Sequence, residues 1–162
     1  MNEFSVQGLT KEEKYQWLLN NWPHFLDPKA PWFSNLSNAM ALLKELFNHW
    51  WTGVYLVNDG ELVLGPFQGT NACTRIEYGK GVCGTAWKDK CTQLVPNVHE
   101  FPGHIACSSA SNSEIVVPIY NNLGEVWAVL DIDSVNFSEF DEIDQYFLEK
   151  FCQNLGSLQP KL

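Results

Sequence analysis

The chain has 162 residues, of which 45% are hydrophobic and 18% are charged, as is usual for a globular protein with a substantial core. The net charge of −9 argues against nucleic acid and anionic membrane surfaces as partners. The N-terminal segment lacks the basic start and apolar run of a signal peptide, and no apolar stretch approaches the roughly 20 residues of a membrane span, so we expect a cytoplasmic protein.

The first half of the sequence predicts two helices followed by a β-hairpin. Residues 10–22 begin with Thr10 and carry Glu13 three positions later, which is the pattern of a capping box. Apolar residues at helical spacing predict a second helix near 34–49. The segments "WWTGVYLV" and "ELVLGPF" are predicted as strands joined by the turn at 58–60, "NDG".

The second half predicts a short helix near 82–89, a short strand in "TQLVPNV", and a hairpin formed by "EIVVPIY" and "EVWAVLDIDS". A final helix is predicted over about 138–155, starting from Ser138. This order of elements predicts an α+β fold with a central antiparallel sheet and helices packed on one side. We expect a single domain over residues 1–162, with its core at about 34–155.

Three carboxylates are predicted to meet on the last hairpin. If residues 122 and 123 form the loop, Glu114 lies directly opposite Asp131, and Asp133 points to the same face by strand alternation. Like charges placed opposite one another destabilise a sheet, and in a pocket they raise one another's pKa, so that one group can serve as a proton donor. The alternative is a set of solvated groups at a strand end. The placement of Glu114 favours the functional interpretation.

The sequence contains five cysteines, and in a cytoplasmic protein they are not expected to form structural disulfides. Cys107 lies in a run of small polar residues, seven positions before Glu114, so its loop can fold over the carboxylates. Cys73 and Cys83 flank a glycine-rich loop. Cys152 is predicted to be a small buried residue of the last helix.

A zinc site is the main alternative use of these residue types, because Cys91, His99, His104 and Cys107 are all zinc-ligating in kind. Their spacings match no common zinc pattern and there is no close CxxC pair, so we expect no metal and no cofactor. Either histidine could instead help to form a Cys107 thiolate, and an ordinary loop position is an equally good interpretation of both.

The segments "NACTRIEYGKGVCGTAW", "HIACSSASNSEIVVPIY" and "GEVWAVLDIDS" closely resemble the free methionine-R-sulfoxide reductases, a catalytic branch of the GAF-domain fold. The resemblance extends from about Tyr15 onward. It implies a central antiparallel sheet with helices behind it and loops that close a pocket in front. It also implies an oxidoreductase that reduces free L-methionine-R-sulfoxide, with a thioredoxin-type protein as reductant. Both a monomer and a homodimer are compatible with the sequence.

The resemblance assigns a role to eight positions of this sequence. Cys107 corresponds to the catalytic cysteine, Cys73 to the resolving cysteine and Cys83 to a third cysteine connected with recycling. Three carboxylates hold the sulfoxide oxygen and two aromatic residues receive the substrate's methyl group: Glu114, Asp131 and Asp133, and Trp51 and Tyr55. No role is implied for Cys91 or Cys152.

Two other functions are compatible with parts of the sequence. A non-catalytic GAF module would bind a small ligand and report it to a partner, but it would not need the three cysteines. A peroxidase-like redox sensor would use Cys107 but would leave the carboxylates unexplained. The preceding tryptophan, Trp50, points away from Trp51 by strand alternation and is predicted to lie in the core.

Overall fold

The computed structural model describes residues 8–105, 107 and 109–159. Four α-helices and six β-strands make up this part of the chain, together with short 3₁₀ turns at Trp22–Phe25, Val98–Glu100 and Gly156–Leu158. The helices are α1 (Lys11–Asn21), α2 (Trp32–Phe47), α3 (Gly81–Asp89) and α4 (Glu142–Leu155). The strands are β1 (Trp51–Asn58), β2 (Glu61–Gln68), β3 (Arg75–Glu77), β4 (Gln93–Val95), β5 (Ser113–Tyr120) and β6 (Val126–Ser134).

The six strands form one antiparallel sheet in the order β3-β2-β1-β6-β5-β4. The first hairpin turns at Asp59 and Gly60, which both have positive φ, as a two-residue type I′ connection requires. The second hairpin brings β6 back between β1 and β5. The three most buried strands, β1, β5 and β6, therefore lie side by side at the centre of the sheet.

The two faces of the sheet carry different layers. One face packs against α1, α2 and α4 through a large apolar cluster that includes Leu18, Leu43 and Phe151. The other face carries a smaller cluster in which α3 contributes Val82 and Ala86. The predicted α+β fold is confirmed, with the three long helices on one side and the short helix on the other. None of the helices in the described residues has the length and apolar character needed to span a bilayer.

The N-terminal helix begins where the sequence predicts. The Thr10 hydroxyl accepts from the backbone N–H of Glu13, and the Glu13 side chain accepts from the backbone N–H of Thr10, so the capping box is complete. The start predicted for the last helix is wrong. Ser138 has φ +52, outside the helical region, and Asp141 caps α4 instead through its own capping box with Asp144.

Two further expectations are corrected by the positions of side chains. Trp50 lies before β1 and is 37% exposed, so it is not a core residue. In the second hairpin Glu114 pairs with Asp133, not with Asp131, which pairs with Val116. The connection is longer than two residues because the Asn121 side chain accepts from the backbone N–H groups of Leu123 and Glu125 and closes a wider turn. The register shifts by two, and all three carboxylates remain on one face.

Candidate active site

A cavity opens on the face of the sheet that carries α3. It is bounded by β1, β5 and β6 below, by α3 at one side and by the loops that follow β2 and precede β5 above. All eight positions to which the family resemblance assigns a role lie in this region, and all but Cys73 line the cavity itself. The lining residues are Trp51, Tyr55, Thr70, Asn71, Ala72, Ile76, Gly81, Val82, Cys83, His104, Ile105, Cys107, Ser111, Glu114, Asp131 and Asp133.

The three carboxylates are placed by the register of the central strands. One row of neighbours across β1, β6 and β5 reads Trp51, Asp133 and Glu114. The next row on the same face reads Gly53, Asp131 and Val116. Successive residues of a strand alternate between faces, so Asp131 and Asp133 both point into the cavity. The sheet itself therefore fixes the relative positions of the acidic groups.

The environment of these carboxylates favours their protonated forms. Burial, followed by the neighbouring charges of Asp131 and Asp133, raises the pKa of Glu114 well above its usual value. Burial and then Asp133 raise the pKa of Asp131 in the same way. The pKa of Asp133 is raised to about 6, mainly by burial, while a hydrogen bond from Ser111 lowers it. Near neutral pH the group of three can therefore hold protons that ordinary surface carboxylates would have lost.

Asp131 differs from the other two carboxylates in having a buried oxygen atom without a hydrogen-bond partner among the described residues. Its side chain is 6% exposed, and no described residue makes a hydrogen bond to its Oδ1 atom. A buried oxygen without a partner costs free energy, and such atoms are rare away from sites of function. Asp131 lines the cavity, where a ligand could supply the missing contact.

Trp51 and Tyr55 form an aromatic wall beside the carboxylates. Their ring centroids lie 6.1 Å apart, and Phe67 stacks on the far side of Trp51 at 5.4 Å. The Trp51 indole N–H donates to the backbone oxygen of Thr70, and the Tyr55 hydroxyl donates to that of Cys73. Both rings are thus held rigidly, and the second bond ties the wall to the loop that carries Cys73.

Gly53 makes the flat position of Trp51 possible. A Cβ at Gly53 would lie 2.3 Å from the Trp51 ring and 2.5 Å from Phe67, both too close for real atoms. Sequence reasoning missed this residue, although a glycine inside a strand pattern is a recognised sign of a close approach. It also missed Ser111, which lines the cavity and bonds Asp133; no motif in the sequence marks that serine.

Cys73 and Cys107 are joined by a disulfide bond, with a Cα–Cα distance of 5.3 Å. The bond links the loop after β2 to the loop before β5, and Cys107 lines the cavity. The sequence argued only against structural disulfides, and a disulfide beside a cavity is typical of redox chemistry. The two remaining unassigned cysteines lie elsewhere: Cys152 is buried in α4, as predicted, and Cys91 is exposed.

Cys83 lies below the disulfide, in the first turn of α3. Its Sγ is 3.9 Å from Glu114 Oε1, and the side chain is 4% exposed. The start of a helix is expected to favour a thiolate. Here burial, followed by the charges of Asp131 and Glu114, raises the pKa of the Cys83 thiol well above its usual value. The expectation of a favoured thiolate at this position is therefore wrong, because burial and the neighbouring carboxylates together outweigh the effect of the helix.

The four residues considered as zinc ligands are not assembled. Cys107 is in the disulfide, and Cys91 lines a different cavity between β5 and α4. The two histidine rings lie 6.5 Å apart, and only His104 lines the cavity. Burial and the proximity of His99 lower the pKa of His104, so its imidazole is neutral near pH 7. Among the described residues, the group whose atoms could hold a metal is Cys83, Glu114 and Asp131, within 4.8 Å of one another.

Comparison with known proteins agrees with this geometry. The model of the GAF domain family matches residues 34–157, which include every residue that lines the cavity. The free methionine-R-sulfoxide reductase of Saccharomyces cerevisiae is 44% identical over 90% of this chain and 86% of its own length. This chain belongs to the free methionine-R-sulfoxide reductase family of GAF domains.

A solved structure and a further relative, compared by sequence, extend the same relationship. The X-ray structure of free methionine-R-sulfoxide reductase from Neisseria meningitidis in complex with its substrate superposes with a TM-score of 0.91 at 42% identity, covering 98% of this chain and 95% of that one. A GAF domain-containing protein A of Dictyostelium discoideum is 51% identical over 96% of this chain and 98% of its length. Membership of the reductase family, predicted from the cysteine-bearing segments and the SEIVVPI strand, is confirmed.

Proposed function

We propose that this protein reduces free L-methionine-R-sulfoxide to methionine, with the whole chain acting as one catalytic domain. The observation that carries the proposal is the Cys73–Cys107 disulfide at a cavity walled by three carboxylates with raised pKa values. A sulfoxide is a poor electrophile until its oxygen is protonated or strongly hydrogen-bonded. A site that reduces it with a thiol therefore needs a proton donor and a nucleophile on the same substrate.

The carboxylates supply the proton. Burial raises the pKa of Glu114 and Asp131 and so favours their protonated forms, and a carboxylic acid directed at the sulfoxide oxygen polarises the S–O bond. The unpartnered Oδ1 of Asp131 offers a further contact in the same place. Asp133, whose pKa is about 6, is the member of the group that ionises first, and its negative charge suits the ammonium group of a free amino acid.

The thiol chemistry then proceeds in two balanced steps. The Cys107 thiolate attacks the sulfur of the protonated sulfoxide and forms an S–S bond. The hydroxyl group then passes from the methionine sulfur to the Cys107 sulfur, so that the S–O and S–S bonds to the methionine sulfur both break, methionine leaves, and Cys107 becomes a sulfenic acid. The Cys73 thiol attacks this sulfur, which forms the disulfide and releases water. Methionine sulfoxide has gained two electrons, and the two cysteines have together lost two.

An external dithiol must return the cysteines to the reduced state. We propose a thioredoxin-type protein in the cytoplasm, because its two thiols exchange with a disulfide without other cofactors. Cys73 is the resolving residue in this scheme. Its backbone oxygen is bonded to the Tyr55 hydroxyl, which keeps the loop of Cys73 at the edge of the aromatic wall.

Substrate selection follows from the shape and charge of the cavity. Trp51 and Tyr55 can pack against an S-methyl group at a single position, which distinguishes the two configurations at sulfur. The disulfide-linked loops cover one side and α3 another, so the cavity suits a free amino acid better than a residue within a peptide.

The proposal is tested by a single turnover. Reduced protein, freed of reductant, is mixed with an excess of free L-methionine-R-sulfoxide. We expect one methionine per protein and a Cys73–Cys107 disulfide, measured by amino-acid analysis and by peptide mapping with mass spectrometry. The Cys107→Ser variant should release no methionine, because an alcohol is a far weaker nucleophile toward sulfur than a thiolate.

Cys91→Ser is the matched control for that variant, since Cys91 is exposed and lies outside the cavity. It should turn over like the wild type. The S epimer and a peptide containing methionine sulfoxide should be poor substrates in the same assay. Absence of methionine from the wild-type protein with every sulfoxide would refute the proposed activity, and efficient reduction of the peptide would refute the proposed selectivity.

A further inference from the structure

The third cysteine of the site is placed differently from the two that form the disulfide. Cys83 belongs to α3, whereas Cys73 and Cys107 belong to loops. Its Sγ lies within 4.8 Å of ligating oxygens of both Glu114 and Asp131, and 3.9 Å from Glu114 Oε1. At this distance the Cys83 thiol can donate a hydrogen bond to the Glu114 carboxylate, because hydrogen bonds from sulfur are longer than those from nitrogen or oxygen.

Its surroundings oppose a role as nucleophile. Resolution of a sulfenic acid requires a thiolate or an easily ionised thiol that can reach the oxidised sulfur. Cys83 is buried in an acidic pocket and is fixed by the helix. Burial is the largest cause of the raised pKa of its thiol, and the charges of Asp131, Glu114 and Asp133 act in the same direction.

The tight packing of α3 also restricts movement of this cysteine. A Cβ at the next residue, Gly84, would lie 2.5 Å from the backbone oxygen of Glu77. The helix therefore rests directly on the end of β3, and the backbone N–H of Gly79 donates to the oxygen of Gly84. Moving Cys83 toward the disulfide would require these contacts to break.

We propose that Cys83 is a positioning residue, whose thiol stays reduced through the catalytic cycle and donates a hydrogen bond that orients the Glu114–Asp131 pair toward the sulfoxide oxygen. This inference rests on the proposed reductase activity. A protonated thiol can donate and an ionised one cannot, so the acidic surroundings that make Cys83 a poor nucleophile make it a suitable donor. The other titratable groups at this pair are Asp133 and Tyr55, on β6 and β1.

The first test uses the wild-type protein. After one turnover without reductant, the protein is denatured and its free thiols are alkylated and mapped. We expect Cys83 to be fully alkylated while Cys73 and Cys107 are found in the disulfide. A Cys83–Cys107 or Cys83–Cys73 bond as the main product of the first turnover would overturn the inference. This readout does not depend on whether any variant folds.

The second test compares Cys83→Ser, which keeps a donor, with Cys83→Ala, which does not. Both should give the wild-type yield of methionine and disulfide in one turnover. In steady state we expect serine to stay within about threefold of the wild-type kcat and alanine to lower it about tenfold, as expected for loss of a hydrogen bond to an acidic group.

The pH profile separates this role from a purely structural one. The hydrogen bond from Cys83 lowers the pKa of both Glu114 and Asp131. Its loss in Cys83→Ala should therefore move the alkaline limb of kcat/KM to higher pH, and serine should leave it near the wild-type position. Cys152→Ser and Cys152→Ala are matched controls, because they change a buried cysteine on the other face of the sheet.

Three results distinguish failure of the reductase proposal from failure of the positioning role. If the wild-type protein releases no methionine, the reductase proposal itself fails. If it does, and Cys83→Ala matches the wild type in both rate and pH profile, only the positioning role fails. A single-turnover yield that falls in both Cys83 variants but in neither Cys152 variant would show that Cys83 is a redox residue, which also overturns the inference.

Discussion

Asp131 and Asp144 are both buried aspartates, but their hydrogen-bond partners differ in a way that distinguishes a site residue, Asp131, from a structural residue, Asp144. Asp144 is 1% exposed and accepts from the Tyr15 hydroxyl at 2.7 Å and from Lys11 Nζ at 2.6 Å. It also accepts from the backbone N–H of Asp141. Asp131 has an oxygen with no partner among the described residues and two carboxyl neighbours. A saturated carboxylate stabilises the fold, whereas an unsaturated one remains available to a ligand.

The Glu114→Gln variant tests whether the acidic group supplies a proton. We expect kcat to fall by roughly 10²–10⁴-fold, which is typical for loss of a positioned proton donor. The free energy of unfolding should be unchanged or higher, because a neutral amide removes the cost of keeping a carboxyl group with a raised pKa either protonated or charged beside Asp131 and Asp133. Steady-state kinetics and urea unfolding measure the two quantities.

Glu125→Gln is the control for this variant, because Glu125 is exposed and lies in the loop of the same hairpin. It should change neither quantity. The corresponding amides, Asp131→Asn and Asp133→Asn, should also turn over slowly. Near wild-type rates in all three amide variants would contradict the proposed activation of the sulfoxide oxygen.

Individual site residues were predictable where strand alternation alone decides the outcome. Asp131 and Asp133 had to share a face once β6 was assigned, and the error of two residues in the hairpin register moved Glu114 without removing it from the cluster. Ser111 could not be predicted, since its contact with Asp133 depends on the path of a loop. The role of Gly53 depends on which way the Trp51 ring lies.

At the scale of elements, hydrogen bonds and ion pairs connect α1 to the start of α4. Tyr15 is 1% exposed and stacks against Phe147 with ring centroids 5.3 Å apart, while its hydroxyl donates to Asp144. Lys11 reaches both Asp141 and Asp144. The cap of α4 is thus shared with the first helix. The sequence predicted the first capping box, but this cross-helix sharing could not be read from local spacing.

The Tyr15→Phe variant tests the contribution of the hydrogen bond from Tyr15 to Asp144. The ring still fills its place, but Asp144 loses a buried donor, so we expect the free energy of unfolding to fall by about 1–2 kcal/mol. Turnover should be unchanged, because Tyr15 belongs to the cluster on the face opposite the cavity. Tyr146→Phe is the matched control, since Tyr146 is 56% exposed on α4 itself. An equal effect of both substitutions would contradict the assigned role.

At the scale of the whole molecule, the residues that stabilise the fold and the residues that line the cavity lie mainly on opposite faces of the sheet. The larger apolar cluster and the three long helices lie on one face, and the cavity lies on the other. The central strands β1, β5 and β6 serve both faces, so alternate residues of the same strand contribute to the core and to the site. Substitutions in the helical layer should therefore change unfolding with little effect on turnover.

The helical layer also contains a buried histidine that couples stability to pH. His49 stacks on Phe47, and no described residue bonds its Nε2 atom. Burial lowers its pKa to about 4. The charged groups around it are Asp144 and Glu139, which oppose that shift, and Lys11 and Lys44, which assist it. The net effect keeps the imidazole neutral in the folded protein.

The consequence is a loss of stability in acid that the His49→Phe variant should largely lack. The unfolded histidine has a pKa of about 6.5, so between that pH and about 4 the unfolded state binds more protons than the folded state. The wild type should therefore lose stability as pH falls through this window, by roughly 3 kcal/mol from this residue. Protonation of Asp133, whose pKa is raised, stabilises the folded state over part of the same range, but it does so in both proteins and cancels in their difference. Urea unfolding at pH 7, 6, 5 and 4 measures that difference, with the exposed His24→Phe as control. Parallel pH profiles for the wild type and His49→Phe would contradict the expectation.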